Sequence, residues 1–337
     1  MRFMSDNTAS VCPEILAALA AVNHGRVQAY GDDEWTARLD RAFSDYFGAE
    51  VRAFVVTTGT AANALALAVL CPPYGAIFAH QEAHLETDEC GAPGFFTGGG
   101  QLMLLPGEHG RIAPATLATA LAAHPTHLHS VQAAVLSLSQ ATELGTAYRA
   151  ETLAELARIA HGRGLKVHMD GARFANVVAH LDCHPGDLTW RAGVDVLSFG
   201  ATKNGAMGAE AVVFFRPELV RDFELHRKRS GHLHSKSRYV AAQLLAYLDG
   251  GLWKRNAQRA NGFAQRIGRA AGDALLLHPV EANEVFVRLG AERVRALRAA
   301  GFEFYDWGAP DAGEARLVVS WDQPEEEVRA LERALCG

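Results

Sequence analysis

Nowhere in this chain of 337 residues does an apolar run grow long enough to cross a bilayer. The longest, Ala64 to Cys71, falls far short of the roughly 20 residues that a spanning helix needs. The opening Met1-Arg-Phe-Met-Ser-Asp-Asn7 lacks the apolar stretch of a secretory signal. Cysteine is sparse and unpatterned. Cys12, Cys71, Cys90, Cys183 and Cys336 form no C-x-x-C pair, and their odd number argues for reduced thiols in a cytoplasm rather than a disulfide framework. A basic excess is also missing. The 32 Lys and Arg are scattered among 38 Asp and Glu, for a formal charge of −6, which removes the electrostatic footprint of a nucleic-acid binder. Internal repeats, low-complexity tracts and Ser/Gly linkers are likewise lacking, so the parts of the chain are expected to pack closely.

What remains is the composition of a globular protein: 49% hydrophobic and 21% charged residues, with a mean hydropathy near zero. The length suits one large domain and a smaller one. From Val51 to Phe215, short β-rich apolar runs alternate with stretches of helical periodicity, the mark of an α/β domain. The candidate strands are Val51–Val56, Ala76–Ala79, Gln101–Leu105, Val131–Leu138, Leu165–Met169, Val194–Phe199 and Ala209–Phe215. Most are continuously apolar, as in a mainly parallel seven-stranded sheet buried on both faces. Helices are expected at Thr60–Leu70, Pro114–Ala123 and Ala150–Arg163, the last closed by Gly164. A long helical stretch follows from about Lys236 to Ala271. After it come strand Val285–Leu289, helix Glu292–Ala300, strand Leu317–Trp321 and a terminal helix opened by Asp322-Gln323-Pro324. The expected division is a large domain over 22–235, with an N-terminal arm over 1–21 and a small α+β domain over 236–337.

Three segments carry chemistry. Lys203 lies amid small residues between two apolar strands. Desolvation disfavours an ammonium, and a buried amine freed of its proton attacks an aldehyde carbon, so Lys203 is a candidate Schiff-base lysine; a flexible surface turn is the plainer alternative. Asp170 ends the strand Leu165–Met169, at the edge where ligands bind in open α/β sheets. It suits the carboxylate partner of a pyridinium nitrogen, or merely a helix cap. In Thr57-Thr58-Gly59-Thr60 a strand runs into a helix, and the amides there, with a hydroxyl, form a phosphate cradle unlike the ATP and NAD fingerprints. Cradle, carboxylate and lysine, in that chain order, match the fold-type-I enzymes that use pyridoxal phosphate.

The whole chain resembles the low-specificity L-threonine aldolases. The resemblance rests on Ser5-Asp6-Asn7, Ala29-Tyr-Gly-Asp-Asp-Glu-Trp-Thr-Ala-Arg38, Thr58-Gly-Thr-Ala-Ala-Asn63, Ala83-His-Leu-Glu-Thr-Asp-Glu-Cys-Gly-Ala-Pro93, His168-Met-Asp-Gly-Ala-Arg-Phe174, the Lys203 segment and Ala315-Arg316. It implies cleavage of L-threonine, L-allo-threonine and related β-hydroxy-α-amino acids to glycine and an aldehyde. Phenylserine cleavage or β-elimination on another small amino acid is the alternative within this chemistry, and a catalytically idle relative the alternative outside it.

By resemblance, Lys203, Asp170, Arg173 and the Thr58, Gly59 and Thr60 cradle hold the cofactor. His84 stacks on its ring, and His129 is a second active-site histidine. Ser5, Arg173 and Arg316 grip the substrate carboxylate. Tyr30 and Arg238 reach the site of a neighbouring subunit, in a dimer of dimers with shared active sites. More distant relatives carry Glu-Asn where this chain reads Ser139-Gln140. Gln140 is therefore expected at the cofactor's ring hydroxyl, with the Glu role absent. The base that deprotonates the substrate hydroxyl is left among His84, His129 and a water. His124, His127 and His129 lack the companions of a metal site, and no metal is expected.

Overall fold

The computed structural model describes residues 1–336. Seven strands, β1 (Arg52–Val56), β2 (Gly75–His80), β3 (Gln101–Leu105), β4 (Gln132–Ser139), β5 (Lys166–Gly171), β6 (Val196–Gly200) and β7 (Glu210–Phe214), form one sheet. Their order is β1-β7-β6-β5-β4-β2-β3, and only β7 runs antiparallel to its neighbours. All seven lie where the apolar runs place them. Alternate residues supply the two cores: Phe54, Val56, Val212 and Phe214 pack beneath helix Gly59–Leu70, while Val55, Met169, Phe199 and Val213 face the opposite layer. Phe199, fully buried and edge-on to Phe43 at 5.1 Å between centroids, contributes roughly 2–3 kcal/mol through burial.

Helix Ala150–His161 ends as Gly164 suggests. The Gly164 amide bonds to His161 O at 2.9 Å and that of Leu165 to Ala160 O at 3.1 Å, with Gly164 in the left-handed region at φ 78°. The expected long helix is two: Arg238–Leu248 and Leu252–Ala271 are separated at Asp249-Gly250-Gly251, where both glycines take positive φ and turn the chain.

A second, antiparallel sheet has the order β8-β10-β9, from β8 (Glu284–Arg288), β9 (Tyr305–Trp307) and β10 (Glu314–Val318). Strand β10 lies a few residues earlier than its apolar run suggests, because Ser320 already turns, bonding through its hydroxyl to Asp322 at 2.7 Å. The N-terminal segment is stitched to this sheet: Phe3 is fully buried, its amide bonds to Glu303 O, and the Val318 amide bonds to Phe3 O, each at 2.8 Å. Ser5-Asp6-Asn7 is thereby carried over the C-terminal edge of the large sheet. No helix among the described residues is long and apolar enough to cross a membrane.

Candidate active site

Asp170 sits near the C-terminal end of β5, 5% exposed. It accepts hydrogen bonds from Asn63 Nδ2 at 2.7 Å and from the Ala172 amide at 3.0 Å, so both carboxylate oxygens are fixed. Lys203 lies on the turn that joins β6 to β7. That turn is rigid, contrary to the flexible alternative. Asn204 Nδ2 bonds to Tyr247 Oη at 2.7 Å and to Trp253 O at 2.9 Å, and Gly205 takes φ 114° where a Cβ would come within 2.8 Å of Asn256. Thr58 caps helix Gly59–Leu70 by accepting from the Ala61 amide at 3.1 Å, which leaves the first amides, of Gly59 and Thr60, without intrahelical partners.

These groups line one continuous cavity with two halves. The first, about 370 Å³, is walled by Thr57 to Thr60, Asn63, Asp170, Thr202, Lys203 and Glu210. The second, about 380 Å³, is walled by Ser5, Arg173, Trp307 and Arg316. Asn7, His84, Asp88, Glu143 and Lys203 face both.

In the second half, positive charge is arranged around two acids. Arg173 is 6% exposed and forks onto Asp6, with Nε–Oδ2 at 2.7 Å and Nη2–Oδ1 at 3.0 Å. Glu284 accepts from Arg316 Nη2 at 2.7 Å and lies 3.6 Å from Arg173 Nη1. Burial alone would raise the Asp6 carboxyl, but the charges of Arg173 and Lys203 overcome it and hold Asp6 at about 2. Nη1 of Arg173 and Nη1 of Arg316 make no hydrogen bond, which leaves guanidinium donors for one further carboxylate.

His84 opens the short helix His84–Thr87 after β2 and donates through Nδ1 to Glu89 Oε1 at 2.8 Å. Asn63 Nδ2 also reaches Glu89 Oε1 at 2.8 Å, so His84, Glu89, Asn63 and Asp170 form one hydrogen-bonded chain. The Glu89 bond raises the His84 pKa against the opposing effect of burial. Donor atoms of His84, Glu89 and Asp170 gather within 4.8 Å of one another. Nδ1–H and the Asn63 amide both bond to Oε1 of Glu89 and the Asn63 amide also to Asp170, while Glu89 Oε2 is buried without a partner; the cluster reads as an orienting chain.

Three expectations need correction. His129 is exposed and precedes β4, at the N-terminal edge of the sheet; it cannot reach the Lys203 site of its own chain. Gln140 is fully buried away from the cavity, its Nε2 bonding to Tyr148 O at 2.9 Å and its Oε1 to the Tyr148 amide at 3.0 Å, so neither group is free for a cofactor. A carboxylate, expected to be missing here, is nonetheless present four residues after Ser139, where Glu143 faces both halves of the cavity. Tyr30 and Arg238 line neither half: Lys228 Nζ lies 4.6 Å from the Tyr30 ring centroid, and Arg238 bonds to His24 O at 2.9 Å. Sequence reasoning also missed Glu89 and Asn63, though both fall inside the motifs quoted for the resemblance. Glu210, which burial raises to about 7, gave no local signal.

The donor set fits pyridoxal phosphate: free helix amides for a phosphate, an immobilised carboxylate for a ring nitrogen, and a lysine on a rigid turn. The chain matches the family described as β-eliminating lyase over residues 2–292. It is 44% identical to a low-specificity L-threonine aldolase of Pseudomonas aeruginosa, covering 98% of this chain and 96% of that one. A Pseudomonas sp. protein of the same description is 42% identical, over 98% and 95%. Leishmania major threonine aldolase superposes with a TM-score of 0.92 at 25% identity, over 99% and 98% of the two chains. Identity at this level over nearly full length, on a shared fold-type-I architecture, places the chain in the β-eliminating lyase family, among the low-specificity L-threonine aldolases.

Proposed function

We propose that this protein binds pyridoxal phosphate and cleaves L-threonine, L-allo-threonine and related β-hydroxy-α-amino acids to glycine and an aldehyde. The observation that carries the reading is the shared wall: Lys203 and His84 face a cofactor-sized half-cavity on one side and a carboxylate-binding half on the other. Bound pyridoxal phosphate supplies a sink for the electron pair released when the Cα–Cβ bond breaks. Thr58, Gly59 and Thr60 would hold its phosphate, Asp170 its ring nitrogen and Lys203 its aldehyde carbon. Arg173 and Arg316, preset by Asp6 and Glu284, bind the substrate carboxylate and so fix which bond at Cα is presented for cleavage. His84, with Nδ1–H committed to Glu89, turns Nε2 toward the β-hydroxyl.

Tyr30 and Arg238, turned away from the cavity of their own chain, complete the site of a partner copy in a dimer-based assembly. The five free thiols suit a cytoplasmic setting. The test mixes pure protein and pyridoxal phosphate with L-threonine, L-allo-threonine and L-phenylserine, the last because Trp307 offers an aromatic wall. Glycine and the matching aldehyde in equal amounts are expected; keto acid and ammonia would overturn aldol cleavage in favour of elimination.

A further inference from the structure

Glu143 stands on the turn Thr142–Thr146, which two backbone bonds lock: Thr142 N to Thr146 O at 2.9 Å and Gly145 N to Thr142 O at 3.0 Å. The Thr142 and Thr146 hydroxyls add a bond of 2.9 Å. From this rigid mount the side chain faces both halves of the cavity. Around the substrate half, Asp6 and Glu284 are engaged by arginines and Asp88 by Thr87, while Glu82, which makes no side-chain bond, lines that half alone and does not face the cofactor half. Asp170 and Glu89 are committed to the orienting chain, and Glu210 lines the cofactor half only. Glu143 makes no hydrogen bond or ion pair with any described residue, so its proton-accepting oxygens are available to a bound molecule.

We propose that Glu143 is a catalytic residue, whose carboxylate takes the proton of the substrate's β-hydroxyl as the Cα–Cβ bond breaks and returns it to Cα. This rests on the aldolase reading. In the first step the O–H and Cα–Cβ bonds break and the aldehyde C=O forms, leaving the electron pair at Cα for the cofactor to delocalise. In the second the Glu143 proton forms the new Cα–H bond, on the side that Cβ vacates. The carboxylate is restored, and neither oxidant nor reductant is consumed.

The electrostatics divide the labour. Burial raises the Glu143 carboxyl above the ordinary carboxylate range, with Lys203 and Arg173 opposing and Asp170 and Glu284 adding to the rise. A carboxyl so placed is a stronger base than an ordinary one. His84 is pushed the same way, by its Glu89 bond and then by Glu143 and Asp170, toward the imidazolium. With Nδ1 committed to Glu89, His84 meets the β-hydroxyl through Nε2 and steadies it, while Glu143 removes its proton.

The test compares holoenzyme with Glu143→Gln and Glu143→Asp in three measurements. Glu143→Gln should cut kcat for L-threonine by roughly 10²–10⁴-fold. It should abolish the loss of kcat/KM on the acid side, where Glu143 becomes protonated. Titration of the apoprotein with pyridoxal phosphate should give an unchanged Kd. Exchange of the glycine α-proton in D₂O should fall with kcat, and Glu143→Asp should restore part of both rates together with the acid limb. Wild-type turnover and exchange in Glu143→Gln would overturn the proposal, as would a weakened cofactor Kd that accounts for the loss. Glycine exchange needs no aldehyde, so it still decides the role of Glu143 if the wild-type protein cleaves none of the hydroxyamino acids.

Discussion

Asp6→Asn removes one charge from a buried ion pair of the site and changes almost nothing in shape. Asp6 is 1% exposed and receives two bonds from Arg173 and one from Asn283 Nδ2 at 3.0 Å. A carboxyl held at about 2 in the fold instead of 3.8 contributes about 2 kcal/mol at neutral pH. Breaking a buried pair from one side generally costs about 3–5 kcal/mol, but Glu284 stays 3.6 Å from Arg173 Nη1 and takes up part of the loss. The expected destabilisation is therefore about 2 kcal/mol, a few degrees in Tm. The folded carboxyl titrates below the unfolded one. The stability it confers is thus fully present above roughly pH 4 and fades as pH falls toward 2. Thermal or urea unfolding of both proteins from pH 7 downward measures this. A gap that is negligible at pH 7, or that widens as the solution is acidified, would refute the claim that Asp6 is held ionised by Arg173.

The other expectations are direct. The purified protein with cofactor is yellow and Lys203→Ala is not; borohydride reduction and peptide mapping should label Lys203, and a label on another lysine would remove it from its role. Lys203→Ala and Arg238→Ala, each inactive alone, should regain some activity when mixed under subunit exchange, because a hybrid carries one intact composite site; confirmed exchange without recovery refutes sharing. His84→Phe should lower kcat by roughly 10²–10⁴-fold with cofactor retained, while His129→Phe stays near wild type. A larger kcat loss in His129→Phe would show that a neighbouring chain brings that histidine into the site.

The large sheet was legible because strands buried on both faces are largely apolar, and most of β1 to β7 are. Strand β9 was not: Tyr305 and Asp306 are exposed on an edge of the small sheet, and three residues carry no period. The residues bonded to the cofactor's anchors could be read from local context, since strand ends and helix starts have sequence signatures. Glu89 and Asn63 could not, because the bond between them joins a loop residue to a helix through tertiary packing alone. His129 illustrates a rule left unapplied. The argument that puts Asp170 in the site, its place at the C-terminal end of a strand, puts a residue just before β4 on the opposite edge. Gln140 failed differently, since no pattern in the chain announces that a side-chain amide will be spent on the Tyr148 backbone.

The stitching of Phe3 to Glu303 and Val318 sets an order on how the enzyme is made. Asp6 meets Arg173 and Asn283, and Arg173 lies beside Glu284, so the carboxylate-binding half draws on segments some 280 residues apart. A chain emerging from the ribosome can form β1 to β7, and with them the phosphate cradle, Asp170 and Lys203, while the small sheet is still unmade. Loop closure of that length is slow and comes late in folding. The cofactor-binding half can thus be laid down before the carboxylate-binding half, which waits for the last strands.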